Sequence, residues 1–177
     1  MKIANDLRLL NSGPRTGLGE IDMPATEPGS SIMPGKVNPV IPEAVNLVAA
    51  QVIGNDAAIT VCGSLGQLEL NIMMPVIAYD LLQSIEILAN GSRVLSEKCV
   101  SEITADRERC YGYADRSLMV VTAITPHIGY DNAAKVAKKA IAENKSIRQV
   151  ILEERILPKE KLDEVLDLKK MTKGGRA

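Results

Sequence analysis

Ile3, Leu7 and Leu10 recur at i, i+4 and i+7, the spacing that lines one face of a helix. Asn11-Ser12-Gly13-Pro14 stops the pattern, and no capping residue precedes it, so the chain is expected to open inside a helix. From Gly13 to Pro39 the periodicity vanishes. Five of the thirteen glycines and five of the nine prolines fall there, which predicts one long loop. Loops of that length inside compact proteins are usually functional or disordered. After Pro42, a residue suited to a first helical turn, Ala44 to Val61 is apolar nearly all the way round. Only Asn46, Gln51, Asn55, Asp56 and Thr60 interrupt it, and a helix of that kind is buried on most sides. Gly63-Ser64-Leu65-Gly66 ends it. A third helix is predicted from Pro75 towards Cys99, with Ile77, Leu81, Ile85, Leu88, Leu95 and Cys99 close to one stripe. About 25 residues at the helical rise span roughly 37 Å, the length of a bundle strut.

Beyond Ile103 the texture changes to short, charged, capped segments. Thr104 is expected to cap a helix through Arg116, and Asp131 to cap Ala133 to Ala142. Ser146 with Gln149 forms a capping-box pattern before Ile147–Arg155, and Pro158 opens Lys159–Leu166. No element is assigned between Ser117 and Tyr130, and no alternating strand pattern of useful length is present. The expected fold is all-α: residues 1–103 form part of a long-helix bundle, with the loop 13–39 inside it, and 104–177 form a small helical domain. Two long apolar helices and a small appendage cannot cover each other's faces. Further helices, from another segment or other subunits, are expected to do so, which makes this chain the C-terminal portion of a larger protein.

Composition narrows the class. Hydrophobic residues make up 46% of the 177, yet there is no Phe, no Trp and only four Tyr, so the core is aliphatic. A formal net charge of -1 gives no basic stripe for nucleic acid. The basic tail Lys169, Lys170, Lys173 and Arg176 reads as a solvated end. Cys62, Cys99 and Cys110 are odd in number and lack C-x-x-C spacing, against a disulfide framework or zinc site and for a reducing compartment. No apolar run near 18–20 residues and no secretory pattern is read from the sequence. The expectation is a soluble cytoplasmic protein with neither a membrane nor a nucleic acid as partner.

Candidate chemistry concentrates in residues 29–39, Gly-Ser-Ser-Ile-Met-Pro-Gly-Lys-Val-Asn-Pro. A phosphate loop needs four residues between its glycines and Ser or Thr after the lysine. Five residues separate Gly29 from Gly35 and Val37 follows Lys36, so that reading fails. An ordinary surface loop with a solvated lysine explains an isolated Lys or Ser-Ser pair, but less well Ser30, Ser31, Lys36 and Asn38 within nine residues constrained by Pro34 and Pro39. The set suits abstraction of a proton beside a carboxylate. That reaction builds a dianionic, aci-carboxylate-like intermediate. It needs a base near the carbon, plus N–H donors and a cation where charge develops. Glycine-containing turns supply such N–H groups.

At these residues the chain resembles the fumarase/aspartase superfamily, whose signature Gly-Ser-Ser-x-Met-Pro-x-Lys-x-Asn-Pro is matched at every fixed position. Resemblance extends through Lys2–Arg8, Ser12–Arg15, Val52–Asn55 and Pro126–Tyr130. It implies Ser30 as general base, Ser31 among the groups holding the enolate-like carboxylate, and Lys36 and Asn38 as binders of the carboxylates of a small dicarboxylate. It also implies a homotetramer whose sites draw on three subunits, with no organic cofactor and no metal among the site residues. Gly35 and Val37 resemble the fumarase and aspartase branches. Gly66-Gln67-Leu68-Glu69-Leu70-Asn71 and Pro42–Asn46 favour the aspartase branch, hence ammonia elimination from aspartate. Ala4 and Thr125–Asp131 sit comfortably with class II fumarase. A third reading is a structural fragment that is inactive as given.

Glu43, in a first helical turn, has a bland role with the helix dipole. The resemblance implies instead a pairing with a histidine from an upstream region. Glu69 and Asn71 are expected to cap the next helix, Met33 to pack the loop, and His127, the only histidine, to be structural in a turn.

Overall fold

A computed structural model describes residues 1–27, 29, 32–33 and 35–173. The described chain is mostly helical, as the periodicities predict, and divides into two compact units, Met1–Asp106 and Arg107–Ala177.

In the first unit, α1 (Lys2–Leu10) is followed by irregular chain that pairs once, at β1 (Ile21–Asp22). Two 25-residue helices then run as a hairpin, α2 (Val40–Ser64) and α3 (Met74–Lys98). A 3₁₀ turn, Val100–Glu102, leads into β2 (Thr104–Ala105). The seam between α2 and α3 is lined on one side by Val48, Val52, Asn55, Ile59 and Cys62, a spacing of three and four that keeps one stripe on its partner. Gly91 faces Val48 across the seam, where an added Cβ would make ordinary contact with the Val48 methyls at 3.6 Å.

The centre of the seam is polar. Buried Asn55 donates through Nδ2 to Gln83 Oε1 (2.9 Å) and Ser84 Oγ (3.0 Å), and its Oδ1 accepts from Gln51 Nε2 at 2.8 Å. A satisfied buried network of this kind fixes register, because a slipped pairing strands its members. Asn55→Ala should therefore cost about 1–3 kcal/mol. A lower urea midpoint at unchanged m-value is the expected readout, and an unchanged midpoint would remove the network from the list of stabilising features.

The stripe predicted on α3 is covered only in part, with Ile77 and Leu95 half-buried and Cys99 buried. Leu81, Ile85 and Leu88 are exposed, as are Leu47 and Ile53 on α2, which stand 73% and 61% open to solvent. The apolar excess thus lies on faces that this chain alone leaves uncovered. The absence of a membrane-length run must also be corrected: α2 is long and apolar enough, by length and composition, to cross a bilayer. Its Asn46, Gln51, Asn55 and Asp56 would be expensive there, and Asn55 is spent on α3.

The second unit comprises α4 (Arg107–Arg116), a 3₁₀ turn at Leu118–Val120, α5 (Val121–Ile128), α6 (Tyr130–Glu143), α7 (Ile147–Glu153), α8 (Lys159–Val165) and α9 (Leu168–Met171). Its core is aliphatic, as composition requires: Ile124, Val136, Ala140, Ile147, Val150, Ile151, Leu162 and Leu166. The capping box at α7 is present in both directions, Ser146 Oγ accepting from Gln149 N and Gln149 Oε1 from Ser146 N. Ion pairs of Lys139 with Glu154 and of Lys145 with Glu143 and Glu153 join the ends of α6 and α7. They hold the Glu143 carboxyl below its ordinary value and the Lys145 ammonium above its own.

Three local expectations fail. Thr104 does not cap a helix; it pairs with Asp22 across the β1–β2 ribbon, and α4 begins three residues later. Asp131 lies inside the first turn of α6, whose N-cap is Gly129 at φ +79°. His127 and Pro126 lie inside α5, not in a turn, and the proline leaves the helix short of one N–H donor.

Candidate functional site

The stretch carrying the candidate chemistry is tethered at its entry by backbone groups. The Asn11 side chain accepts from Met23 N (3.2 Å), Ser12 Oγ accepts from Leu18 N (3.0 Å), and Glu20 N donates to Leu10 O (2.8 Å). On the other side Ile21 and Asp22 pair with Ala105 and Thr104, and Asp106 N donates to Glu20 O at 3.0 Å. Both ends of the loop, Met23–Thr26 and Pro39–Pro42, border a small crevice over Lys98 and Cys99. Cys99 is buried with its Sγ 3.5 Å from Met23 Sδ, and burial pushes its thiol up. A thiol in that setting packs rather than reacts.

Within the loop, Gly29 has φ +131° and Gly35 φ +76°. A Cβ on Gly29 would sit 3.3 Å from Gly35 N, so the two glycines let the strands of the loop approach each other. Lys36 N donates to Met33 O at 3.2 Å and closes the turn. The Lys36 side chain is exposed and has no carboxylate partner among the described residues; Asn38 is half-buried. Ser30 and Ser31 lie outside the described residues. Met33 does not pack the loop: it is 56% exposed, and Ile32 and Val37 beside it are open too.

Glu43 stands in the first turn of α2, four residues beyond Pro39, where the helix N-terminus favours a carboxylate. It also meets α1. Arg8 donates through NH2 to Glu43 Oε1 at 3.3 Å and through NH1 to Asn5 Oδ1 at 3.2 Å. The same Asn5 oxygen accepts from Asn46 Nδ2 at 2.8 Å. Asn46 Oδ1 is buried without a partner among the described residues. The sequence pattern did not single out Asn5 and Arg8 as site residues. Their spacing of three on an amphipathic helix is the one signal that could have placed them on a common face.

Asn71 does not cap α3, whose N-cap is Met73 with no side-chain cap bond; its Oδ1 accepts from Met73 N at 2.8 Å in the turn before the helix, while its Nδ2 donates to Cys62 O at 3.0 Å. Gln67 and Leu70 bond each other across a tight turn at the far end of α2 from the loop, roughly 37 Å away along the axis. In the second unit, a concavity of about 550 Å³ between α5 and α6 is lined by Val121, Thr125, Pro126, Tyr130, Ala133 and Ala137, with no charged group to do chemistry.

Residues 1–54 match a family model described as "Lyase", and residues 120–173 one described as "Fumarase C C-terminus". An aspartate ammonia-lyase of Bacillus subtilis is 51% identical over 99% of this chain and 37% of its own length. A class II fumarate hydratase of Pseudomonas putida is 55% identical over 93% of this chain and 35% of its own. The chain belongs to the fumarase/aspartase superfamily. Solved structures agree. A cobalt-bound fumarate lyase:delta crystallin from Brucella melitensis superposes with a TM-score of 0.93 at 49% identity, over 98% of this chain and 37% of the other. A class II fumarase from Schistosoma mansoni gives 0.87 at 44%, over 97% and 36%.

The chain therefore spans little more than a third of the length of the relatives it matches. Members named for aspartate and members named for fumarate hydration are similar to it to nearly the same degree. The superfamily is thus established at a level above the choice between cleaving a carbon–nitrogen and a carbon–oxygen bond.

Proposed function

We propose that this chain supplies the proton-abstracting loop of a lyase that converts L-aspartate to fumarate and ammonia. Ser30 takes a proton from C3, the C–H electrons form the C2–C3 double bond, and the amine leaves C2 with its bonding pair. Ser31 and the neighbouring N–H groups hold the carboxylate on which charge accumulates. Lys36 and Asn38 bind the substrate's carboxylates. Only interactions that tighten as that charge develops accelerate the step. Glu43 supports the site from the first turn of α2. The observation that carries this reading is the complete Gly29–Pro39 signature on a loop whose two glycines adopt the left-handed backbone its tight turn needs, next to a Lys36 with no carboxylate partner among the described residues.

Gln67, Leu68 and the Pro42–Asn46 run support aspartate as substrate. A second reading, class II fumarate hydratase, is favoured by the 55% identity to the Pseudomonas putida protein and by Thr125–Asp131. The exposed apolar faces of α2 and α3 support a homo-oligomer, a tetramer on the family pattern, with sites built across subunits. Cysteine usage supports the cytoplasm.

The full-length enzyme, incubated with L-aspartate, should release fumarate and ammonia in equal amounts. Hydration of fumarate to malate with no aspartate turnover would transfer the assignment to fumarase. The isolated 177 residues should be inactive on both, since only part of a shared site is present.

A further inference from the structure

Four polar side chains tie α1 to the start of α2, and the bonding among them is unequal. Asn5 and Arg8 lie three residues apart on α1; Glu43 and Asn46 lie three apart on α2. Asn5 Oδ1 accepts two hydrogen bonds, from Arg8 and from Asn46. Arg8 is thereby fixed at one nitrogen and uses another to hold Glu43 by Oε1 alone. The second carboxylate oxygen, Oε2, has no partner among the described residues. Asn46, committed to Asn5 through its amide hydrogens, keeps its own oxygen buried and without a partner among the described residues. Chains rarely retain such an orphan, and where they do the reason is commonly functional.

We propose that Arg8, seated by Asn5 and Asn46, is a positioning residue for Glu43. The guanidinium holds one carboxylate oxygen so that the other faces a donor brought by the rest of the enzyme. A lysine could supply the charge but not the fork, because one ammonium cannot bond Asn5 and Glu43 in the same fixed plane. The place of the brace explains its value. Glu43 sits four residues past Pro39, on the rigid helix from which the loop springs, so a tilt of this turn moves Asn38 and Lys36 with it. The inference rests on the lyase reading above.

The test is a double-mutant cycle in the full-length enzyme, read as kcat and KM separately. Arg8→Gln should lower kcat by roughly 10- to 100-fold, the cost of a misplaced catalytic group, with KM changed less than threefold. Asn5→Ala, which leaves both charges in place, should lower kcat in the same direction by a smaller factor. In a Glu43→Gln background, Arg8→Gln should add no further loss, because Arg8 acts through Glu43. Arg8→Lys should recover part of the activity. Independent, multiplicative losses from Arg8→Gln and Glu43→Gln would overturn the proposal, as would wild-type kcat in both Arg8→Gln and Asn5→Ala. If Arg8→Gln prevents folding, the cycle is run with Asn5→Ala against Glu43→Gln, and the same criterion applies. A wild-type enzyme that turns over no dicarboxylate would instead defeat the functional reading itself.

Discussion

Replacing Ser30 by alanine should lower kcat of the full-length enzyme by about 10²- to 10⁴-fold, the range general acid–base catalysis supplies. Dicarboxylate binding and subunit assembly should be unaffected. A serine hydroxyl is a poor base in water, and its use demands surroundings that favour the alkoxide over the alcohol. The loop offers the means: N–H groups from turns at Gly29 and Gly35, and the Lys36 ammonium with no carboxylate to neutralise it among the described residues. Removal of the hydroxyl leaves Lys36 and Asn38, the proposed carboxylate binders, in place, so KM should move far less than kcat. Isotope exchange at C3 and a dicarboxylate binding curve on the same variant separate the two effects. A Ser30→Ala enzyme with a tenth or more of wild-type kcat would assign the base elsewhere.

Leu162→Ala should destabilise the second unit by about 2–5 kcal/mol. Leu162 is fully buried among Ile124, Val136, Val150 and Ile151, and none of these is aromatic or flexible enough to fill the space. The lost transfer energy is then joined by a cavity that α7 and α8, at seven residues each, cannot close without losing their other contacts. For a small unit that loss is a large share of total stability. Thermal unfolding followed by circular dichroism should show a lowered early transition. A shift equivalent to less than about 1 kcal/mol would show that this core collapses around the gap.

Much of this was readable before any coordinates. The three periodic helices at the start and the Ser146/Gln149 box are local features whose spacing carries the geometry, and the structure reproduces them within a few residues. What failed was non-local. The β1–β2 ribbon is two residues long on each strand, too short for alternation to be visible, so Thr104 read as a cap. α5 falls in a stretch where the sequence pattern assigns no element, and it carries Pro126 inside the helix. The α3 stripe is expected to need cover from outside the hairpin, and its Leu81, Ile85 and Leu88 stand exposed, while the seam itself is polar at Asn55 and Ser84. A pattern of apolar positions says that a face is covered, never by what.

The site divides the same way. Lys36 and Asn38 stand out as candidates because the eleven-residue signature is contiguous, and Glu43 because of its place in a first helical turn. Arg8 and Asn5 do not, because their role depends on a contact between residues 35 apart or more, Arg8 with Glu43 and Asn5 with Asn46. Residue type alone made Arg8 an ordinary surface cation. Gln67 and Leu68, on which the proposal of aspartate as substrate leans, stand at the opposite end of α2 from the loop, and no contact among the described residues joins them to it.

The most direct measurement of the central claim is the reverse reaction in deuterium oxide. Full-length enzyme with fumarate and ammonia should give aspartate carrying one deuterium at C3, in a single configuration set by anti addition, as read by proton NMR. Unlabelled aspartate or label in both C3 positions would contradict a loop that moves a single carbon-bound proton on one face of a dicarboxylate, and no aspartate from the wild-type protein would contradict aspartate as its substrate.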